Sequence, residues 1–270
     1  MGTPDFSVPT LEALIKAGHS IVGVYCQPDK QKGRGKQVQM PPVKVAALKH
    51  NLPVFQPVTL RDEQVQAELE NLNPDVVVVI AYGKILPPWL IRLPQYGCIN
   101  VHASILPKYR GAAPIHYAIL NGDTKSGVTI MHMDDGLDTG DIIDIVETDI
   151  LCGETTGELF ERMALLGGKT IVPVLTRWVN GATPQDDTMA THTAKITKEM
   201  GQIDWSKSAH EIVNLIRGLN PAPGCYTYLD GKRLKVWSGE VVPSDTTHGL
   251  IDIHGKHVPI AISATTVPGT

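Results

Sequence analysis

Apolar positions change their period along the chain. Val8, Leu11, Leu14 and Ile15 recur at helical spacing, with Ser7 placed to cap them and Gly18 to stop them, so a helix is expected there. Ile21 to Cys26 reads as a strand, Pro42 to His50 as a helix, Val54 to Phe55 as a short strand and Arg61 to Leu72 as a helix. The run from Val76 to Ala81 is β-branched without alternation, the mark of a strand buried on both faces. Cys98 to His102 follows as the next central strand. A helix near Ala113 to Leu120, strands at Val128 to Met133 and Ile142 to Thr148, and a long helix from Thr156 to Val179 complete the series. Helical and strand-like segments in alternation predict an α/β domain with a mostly parallel sheet.

The texture then changes. Gly181 to Gly201 is polar, carries Pro184 and the pair Asp186 and Asp187, and reads as a linker. Beyond Trp205 come one helix (Ser208 to Gly218) and short strands at Cys225 to Leu229, Leu234 to Trp237 and Leu250 to Ile253, compatible with a small barrel. The expected division is therefore residues 1–182, a linker at 183–200, and a tail domain at 201–270.

Composition narrows the classes. At 270 residues the chain can bury a full core. Its four cysteines form no CxxC pair, and three lie in apolar or strand-like runs, so a reduced, cytoplasmic protein is expected. No apolar run approaches a membrane span, and no signal sequence opens the chain. A net charge of -4 argues against a generic nucleic-acid coat. Yet Lys30, Lys32, Arg34 and Lys36 alternate with Gln and Gly, concentrating positive charge in one loop. By itself that loop reads as a solvated connection.

Several motifs fail. The loop Gly33-Arg34-Gly35-Lys36 lacks the earlier Gly and the following Ser or Thr of a Walker loop, since Lys30 and Gln37 stand there. No GxGxxG follows a strand, no HExxH occurs, and the acidic cluster from Asp134 to Asp141 has no calcium-loop ending. Neither a metal nor a nicotinamide is expected.

One constellation holds. Asn100 and His102 share parity on a strand, so both side chains point to one face. Asp138, in Asp134-Asp135-Gly136-Leu137-Asp138-Thr139-Gly140, comes from a second loop. An amide, an imidazole and a carboxylate suffice for acyl transfer to an amine: Asn100 donates to the oxyanion, His102 carries the proton, and Asp138 holds the ring by a hydrogen bond. Singly each residue is more often structural. With Ser104-Ile105-Leu106-Pro107-Lys108-Tyr109-Arg110-Gly111 between them, the chain resembles the 10-formyltetrahydrofolate-dependent formyltransferases.

That resemblance implies a Rossmann-like catalytic domain with an OB-like barrel behind it. It implies 10-formyltetrahydrofolate as formyl donor, with Ser104, Ile105, Leu106 and Pro107 lining the folate site beside the turn that carries Tyr82, Gly83 and Ile85. Family members that act on glycinamide ribonucleotide or amino sugars, and folate hydrolase domains, share the triad, so other segments must choose the substrate. Gly2-Thr3-Pro4-Asp5-Phe6, Gln27-Pro28-Asp29, the basic loop, Asp204-Trp205-Ser206 and Arg217-Gly218-Leu219-Asn220-Pro221 are similar to the tRNA-directed branch. In that branch the basic loop (Lys30, Lys32, Arg34, Lys36) enters the acceptor stem of the initiator tRNA, with Arg34 reading its unpaired end. Lys232, Arg233 and Lys235 of the tail would extend the contact along the phosphates. The expected activity is formylation of the methionyl initiator tRNA by a monomer. The alternatives are an enzyme for an amino-sugar nucleotide and a noncatalytic tRNA- or folate-binding module.

Two departures from the family stand out. Its short apolar strand directly before Gly-Thr-Pro has no counterpart ahead of Gly2, which predicts an unstable sheet unless another segment fills the gap. The tail from Gly249 to Thr270 is short and matches poorly, which predicts an incomplete barrel.

Overall fold

Strands buried on both faces pair side by side in a sheet, and the runs Val77–Val79 and Cys98–His102 do so. The computed structural model describes residues 1–32, 37–177, 181–229, 231–241, 249–253 and 256–260, the last two stretches by backbone alone. The chain forms two units: Met1–Arg110, Gly127–Glu147 and Glu161–Thr191 make the first, and Gly111–Ser126, Thr148–Phe160 and His192–Thr270 the second.

In chain order the elements begin with α1 (Val8–Lys16), β1 (Val24–Tyr25), β2 (Lys30–Lys32), β3 (Gln37–Gln39), α2 (Pro42–Lys49), β4 (Val54–Phe55) and α3 (Glu63–Leu72). Next come β5 (Val77–Val79), α4 (Pro88–Arg92), β6 (Cys98–His102), β7 (Arg110–Gly111), α5 (Pro114–Leu120), β8 (Lys125–His132), β9 (Ile142–Asp149) and α6 (Thr156–Arg177). The chain continues through β10 (His192–Thr193), α7 (Ala209–Gly218), β11 (Cys225–Leu229), β12 (Lys232–Val236), β13 (Gly249–Ile253) and β14 (Lys256–Ile260). Most expected elements stand within a few residues of their predicted bounds. The hairpin β2–β3 was read as a loop, because Lys and Gln at all positions but Val38, itself 65% exposed, give no apolar face to announce a strand.

The main sheet runs β5-β6-β8-β9. β5 and β6 are parallel, with Val77 opposite Cys98 and Val79 opposite Asn100. β6 and β8 are antiparallel, with His102 opposite Thr129. The sheet is thus mixed rather than mostly parallel: the chain re-enters at the end of β6 from which it left, so no crossover reverses it. That register places Thr129, fully buried, under the loop after β6. Its hydroxyl donates to Ser104 O (2.6 Å) and accepts from Leu106 N (3.1 Å), which pins the loop.

β1 and β4 form a separate parallel ladder. Between it and β5 lie Met1 and Gly2: the Met1 ammonium donates to Val78 O (2.6 Å), Gly2 N to Tyr25 O (2.9 Å), and Ile80 N to Met1 O (2.9 Å). A cavity of about 330 Å³ continues beyond them between Ile21–Tyr25 and Val76–Val78. Position 2 admits only glycine, since a Cβ would meet Ser7 Oγ at 2.5 Å. Ser7 precedes α1 as expected, but its hydroxyl makes no cap; it donates to Ile80 O (2.8 Å).

Apolar faces close on this frame. Leu69, Val77, Val79, Leu90 and Cys98 form one core, and Leu11, Val24, Cys26, Val43 and Ala47 another. Each large buried side chain contributes roughly 1.5–3 kcal/mol. α6 approaches closely through Gly167 and Gly168, where a Cβ would lie 2.9 Å from Val101 Cγ1 and 2.8 Å from Pro9 O. Cys26, Cys98 and Cys225 are buried free thiols, and burial pushes Cys98 up to about 12. No helix among the described residues is long and apolar enough to cross a membrane.

In the second unit α5 packs on α7, and Ile203, Ile216, Leu219, Cys225 and Val236 form the core. Ser208 and Glu211 close a capping box at the start of α7. β11–β12 and β13–β14 are antiparallel hairpins.

Burial lowers the pKa of His116 and of His132, in the latter case against the opposing pull of Asp141. The unfolded chain therefore binds more protons than the folded one below the ordinary imidazole value of about 6.5. Stability is full above that value and is lost as pH falls through it. Melting temperature is expected to drop between pH 7.5 and 5.5, and His116→Gln with His132→Gln to flatten that slope. An unchanged slope in the double variant would assign the drop to other groups.

Candidate active site

β6 supplies two of the three expected groups. Asn100 and His102 face one side, while Val101 between them faces the small residues of α6. The His102 side chain is 6% exposed.

The loop after β8 supplies the third. Asp134 folds it, its carboxylate accepting from Gly136 N (3.0 Å) and from Thr139 Oγ1 (2.7 Å). Gly140 lets the loop press on β8, because a Cβ there would sit 2.0 Å from His132 O. Asp138 is held at φ 55°, a left-handed conformation that costs a non-glycine residue of the order of 1–3 kcal/mol. The Arg92–Asp135 ion pair at the rim is exposed on both sides and adds little.

The three side chains converge on one atom. Asp138 Oδ1 accepts from Asn100 Nδ2 at 3.2 Å and lies 3.7 Å from His102 Nδ1. The expected hydrogen bond from Asp138 to the imidazole is therefore not made at that distance; the carboxylate orients the amide and faces the ring as a charge. The ring is oriented by Tyr109, whose carbonyl oxygen lies 3.0 Å from His102 Nε2. A carbonyl only accepts, so Nε2 carries a proton in this arrangement and Nδ1 is the basic nitrogen. Tyr109 is itself at φ 63°.

The remaining residues spread over several environments. Ser104 is buried and donates to Lys108 O (2.6 Å); Leu106 is buried, and Ile105 and Pro107 are half-buried. The Tyr82 ring lies in the core, so this residue offers its carbonyl, which accepts from Thr3 Oγ1 (2.9 Å) and Gln27 Nε2 (3.1 Å). Gly83 turns at φ 80°, and Ile85 is 90% exposed. Lys30 is exposed on β2. Lys32 closes β2 without a described side chain, and Arg34 and Lys36 lie outside the described residues. Lys232, Arg233 and Lys235 are exposed on β12. Arg233 stacks on the Tyr226 ring at 3.6 Å, and Lys235 lies 5.3 Å from the Trp237 ring, so cations and aromatics share a face of that hairpin.

Sequence reasoning missed Tyr109, Arg110, Thr129 and Gln185. The first acts through its carbonyl, which every residue has. Thr129 sits mid-strand, and Gln185 in a stretch that looked like a spacer.

Residues 1–175 match the family model described as formyl transferase, and residues 195–267 match formyl transferase, C-terminal domain. The chain is 50% identical over 263 residues to a methionyl-tRNA formyltransferase of Alkaliphilus oremlandii, covering 96% of this chain and 84% of that one. It is 52% identical over 262 residues to a methionyl-tRNA formyltransferase of Agathobacter rectalis, covering 95% and 84%. Among solved structures it is similar to an N-formyltransferase from Helicobacter canadensis in complex with folinic acid and dTDP-3-aminofucose (TM-score 0.67, 20% identity, 96% of each chain). It is also similar to methionyl-tRNA formyltransferase from Clostridium thermocellum (TM-score 0.59, 20% identity, 77% of this chain and 87% of that one). At such identities the likeness shows the fold alone.

Proposed function

The chain belongs to the formyl transferase family, and we propose that it moves the formyl group of 10-formyltetrahydrofolate to the α-amino group of methionine on initiator tRNA. The observation that carries this reading is the identity of about one half, sustained over 263 residues, with a methionyl-tRNA formyltransferase. Likeness to a sugar-modifying enzyme stops at the fold. The meeting of Asn100, His102 and Asp138 supplies chemistry that such a transfer needs.

The amine attacks the formyl carbon, and negative charge develops on the formyl oxygen. Asn100 gives one N–H to Asp138 Oδ1, which leaves its second to meet that oxygen, a contribution of roughly 3 kcal/mol for a well-placed donor. His102 Nδ1 takes the amine proton as the C–N bond forms. The resulting imidazolium faces Asp138 and still donates from Nε2 to Tyr109 O. Collapse breaks the bond from carbon to the folate nitrogen, and His102 returns the proton there, releasing tetrahydrofolate. Half-buried Ile105 and Pro107 offer apolar surface to a pterin, on a backbone that Thr129 pins, so the residues present fit the donor.

The substrate tRNA is assigned to the basic hairpin loop and to the cation-aromatic face of β12, in a C-terminal domain over 201–270 of OB-like form. Lys and Arg meet the phosphates of the acceptor stem, and an aromatic ring beside them suits an unpaired base at its end. The enzyme acts as a monomer in the cytoplasm on this reading. Transfer of label from radiolabelled 10-formyltetrahydrofolate to charged initiator tRNA, with nucleotide-linked amino sugars as competitors, tests it. Label is expected on the tRNA; label on the sugar instead would make this an amino-sugar enzyme, and label on neither a binding module.

A further inference from the structure

Segment 183–191 was read as a spacer, yet it is tied to both loops that complete the triad. At one end Thr183 exchanges two backbone hydrogen bonds with Ile142, 2.8 Å each. Gln185 then reaches the loop of Asp138: its Nε2 donates to Asp138 O (2.9 Å) and to Gly140 O (2.7 Å). The same amide is held from behind. Gln185 Oε1 accepts from Arg110 Nε (3.1 Å) and Nη2 (2.8 Å), and Arg110 Nη2 also pairs with Asp187 Oδ1 (2.7 Å). Arg110 is buried, its side chain 4% exposed, and its charge meets these partners there.

At the other end Thr191 grips the loop after β6. Tyr109 N donates to Thr191 Oγ1 (2.8 Å), Arg110 N to Thr191 O (2.8 Å), and Thr191 N to Pro107 O (3.3 Å). Tyr109 and Asp138 are the two left-handed non-glycine residues at the triad, and the segment bonds to the backbone of both. A strained conformation persists only where its surroundings over-determine it. Thr191 steadies the peptide whose carbonyl orients His102, and Gln185 steadies the peptide that aims Asp138.

The geometry points to Gln185, backed by Arg110, and to Thr191 as positioning residues: the strap at 183–191 holds Asp138 and His102 in reacting register. This rests on the formyl-transfer reading. Displacing a catalytic group by about 1 Å can cost as much as a hundredfold in rate, with little effect on binding. A positioning role therefore separates kcat from KM.

Gln185→Glu is the sharper variant, because its carboxylate still accepts from Arg110 but cannot donate to the carbonyls of Asp138 and Gly140. Gln185→Ala and Gln185→Glu are each expected to lower kcat for formyl transfer by about tenfold or more, with KM for folate and for tRNA within about twofold. Combined with Asp138→Ala, Gln185→Glu should add almost nothing, since nothing is left to aim. Thermal melting of each variant reports folding. Full kcat in Gln185→Glu, or losses that multiply in the double variant, would overturn the proposal. If the wild-type enzyme itself fails to formylate tRNA, the functional reading falls instead, and the two failures are told apart in one assay.

Discussion

Alanine in place of Asn100 or of His102 is expected to lower kcat by about two orders of magnitude or more, with a much smaller change in folate affinity. Asn100 has one N–H on Asp138 and one for the developing oxyanion, and a donor that acts only on the transition state lowers kcat when removed. On the proposed mechanism His102 takes the amine proton and returns it, and with Nε2 committed to Tyr109 O only Nδ1 is left for that role. Asp138→Ala should fall comparably, because it removes both the orienting partner of the amide and the charge beside the ring. The three losses should not multiply in double variants, since the groups share one atom. Steady-state kinetics with initiator tRNA decides this, and near-normal turnover in any two single variants would sink the assignment.

Arg34→Ala is expected to lower kcat/KM for initiator tRNA by about ten- to hundredfold while leaving folate binding intact, the range of roughly 1–3 kcal/mol for a lost bidentate contact. It should also blunt discrimination against elongator tRNA. Lys30→Ala should behave differently: a point charge on phosphate weakens all tRNAs alike and reduces the salt slope by about one unit. β2 and β3 carry this loop, with Lys30 opposite Gln39 and Lys32 opposite Gln37. Unchanged kinetics and discrimination in Arg34→Ala would return the loop to a solvated connection and move weight to the amino-sugar reading.

Much of the fold was legible because burial writes itself into residue type. The unbroken run around Val77–Val79 follows from burial on both faces, and the parity of Asn100 and His102 on β6 from a strand's period of two. The helix faces of α1 and α7 follow from the period of 3.6. β2 and β3 escaped, since solvated strands of Lys and Gln with a single exposed Val38 bury no apolar face. The direction of β8 escaped too: the same apolar string serves a parallel or an antiparallel neighbour, and only the end at which the chain returns decides.

The site divides along the same line. Residue type and spacing, with the family resemblance, named the candidate groups, because an amide can donate to an oxyanion, an imidazole can carry a proton near neutral pH and a carboxylate can orient either. They also determined that a basic loop would stand apart from an acidic whole. Tertiary structure alone decided how the groups are aimed: that Asp138 bonds Asn100 rather than His102, that a backbone carbonyl fixes the ring, and that a polar stretch is a strap. The reason is that aim depends on backbone carbonyls and left-handed peptides, which are common to all residues. Hydrogen bonds from the strap, between positions 47 and 82 residues apart in sequence, hold them in place.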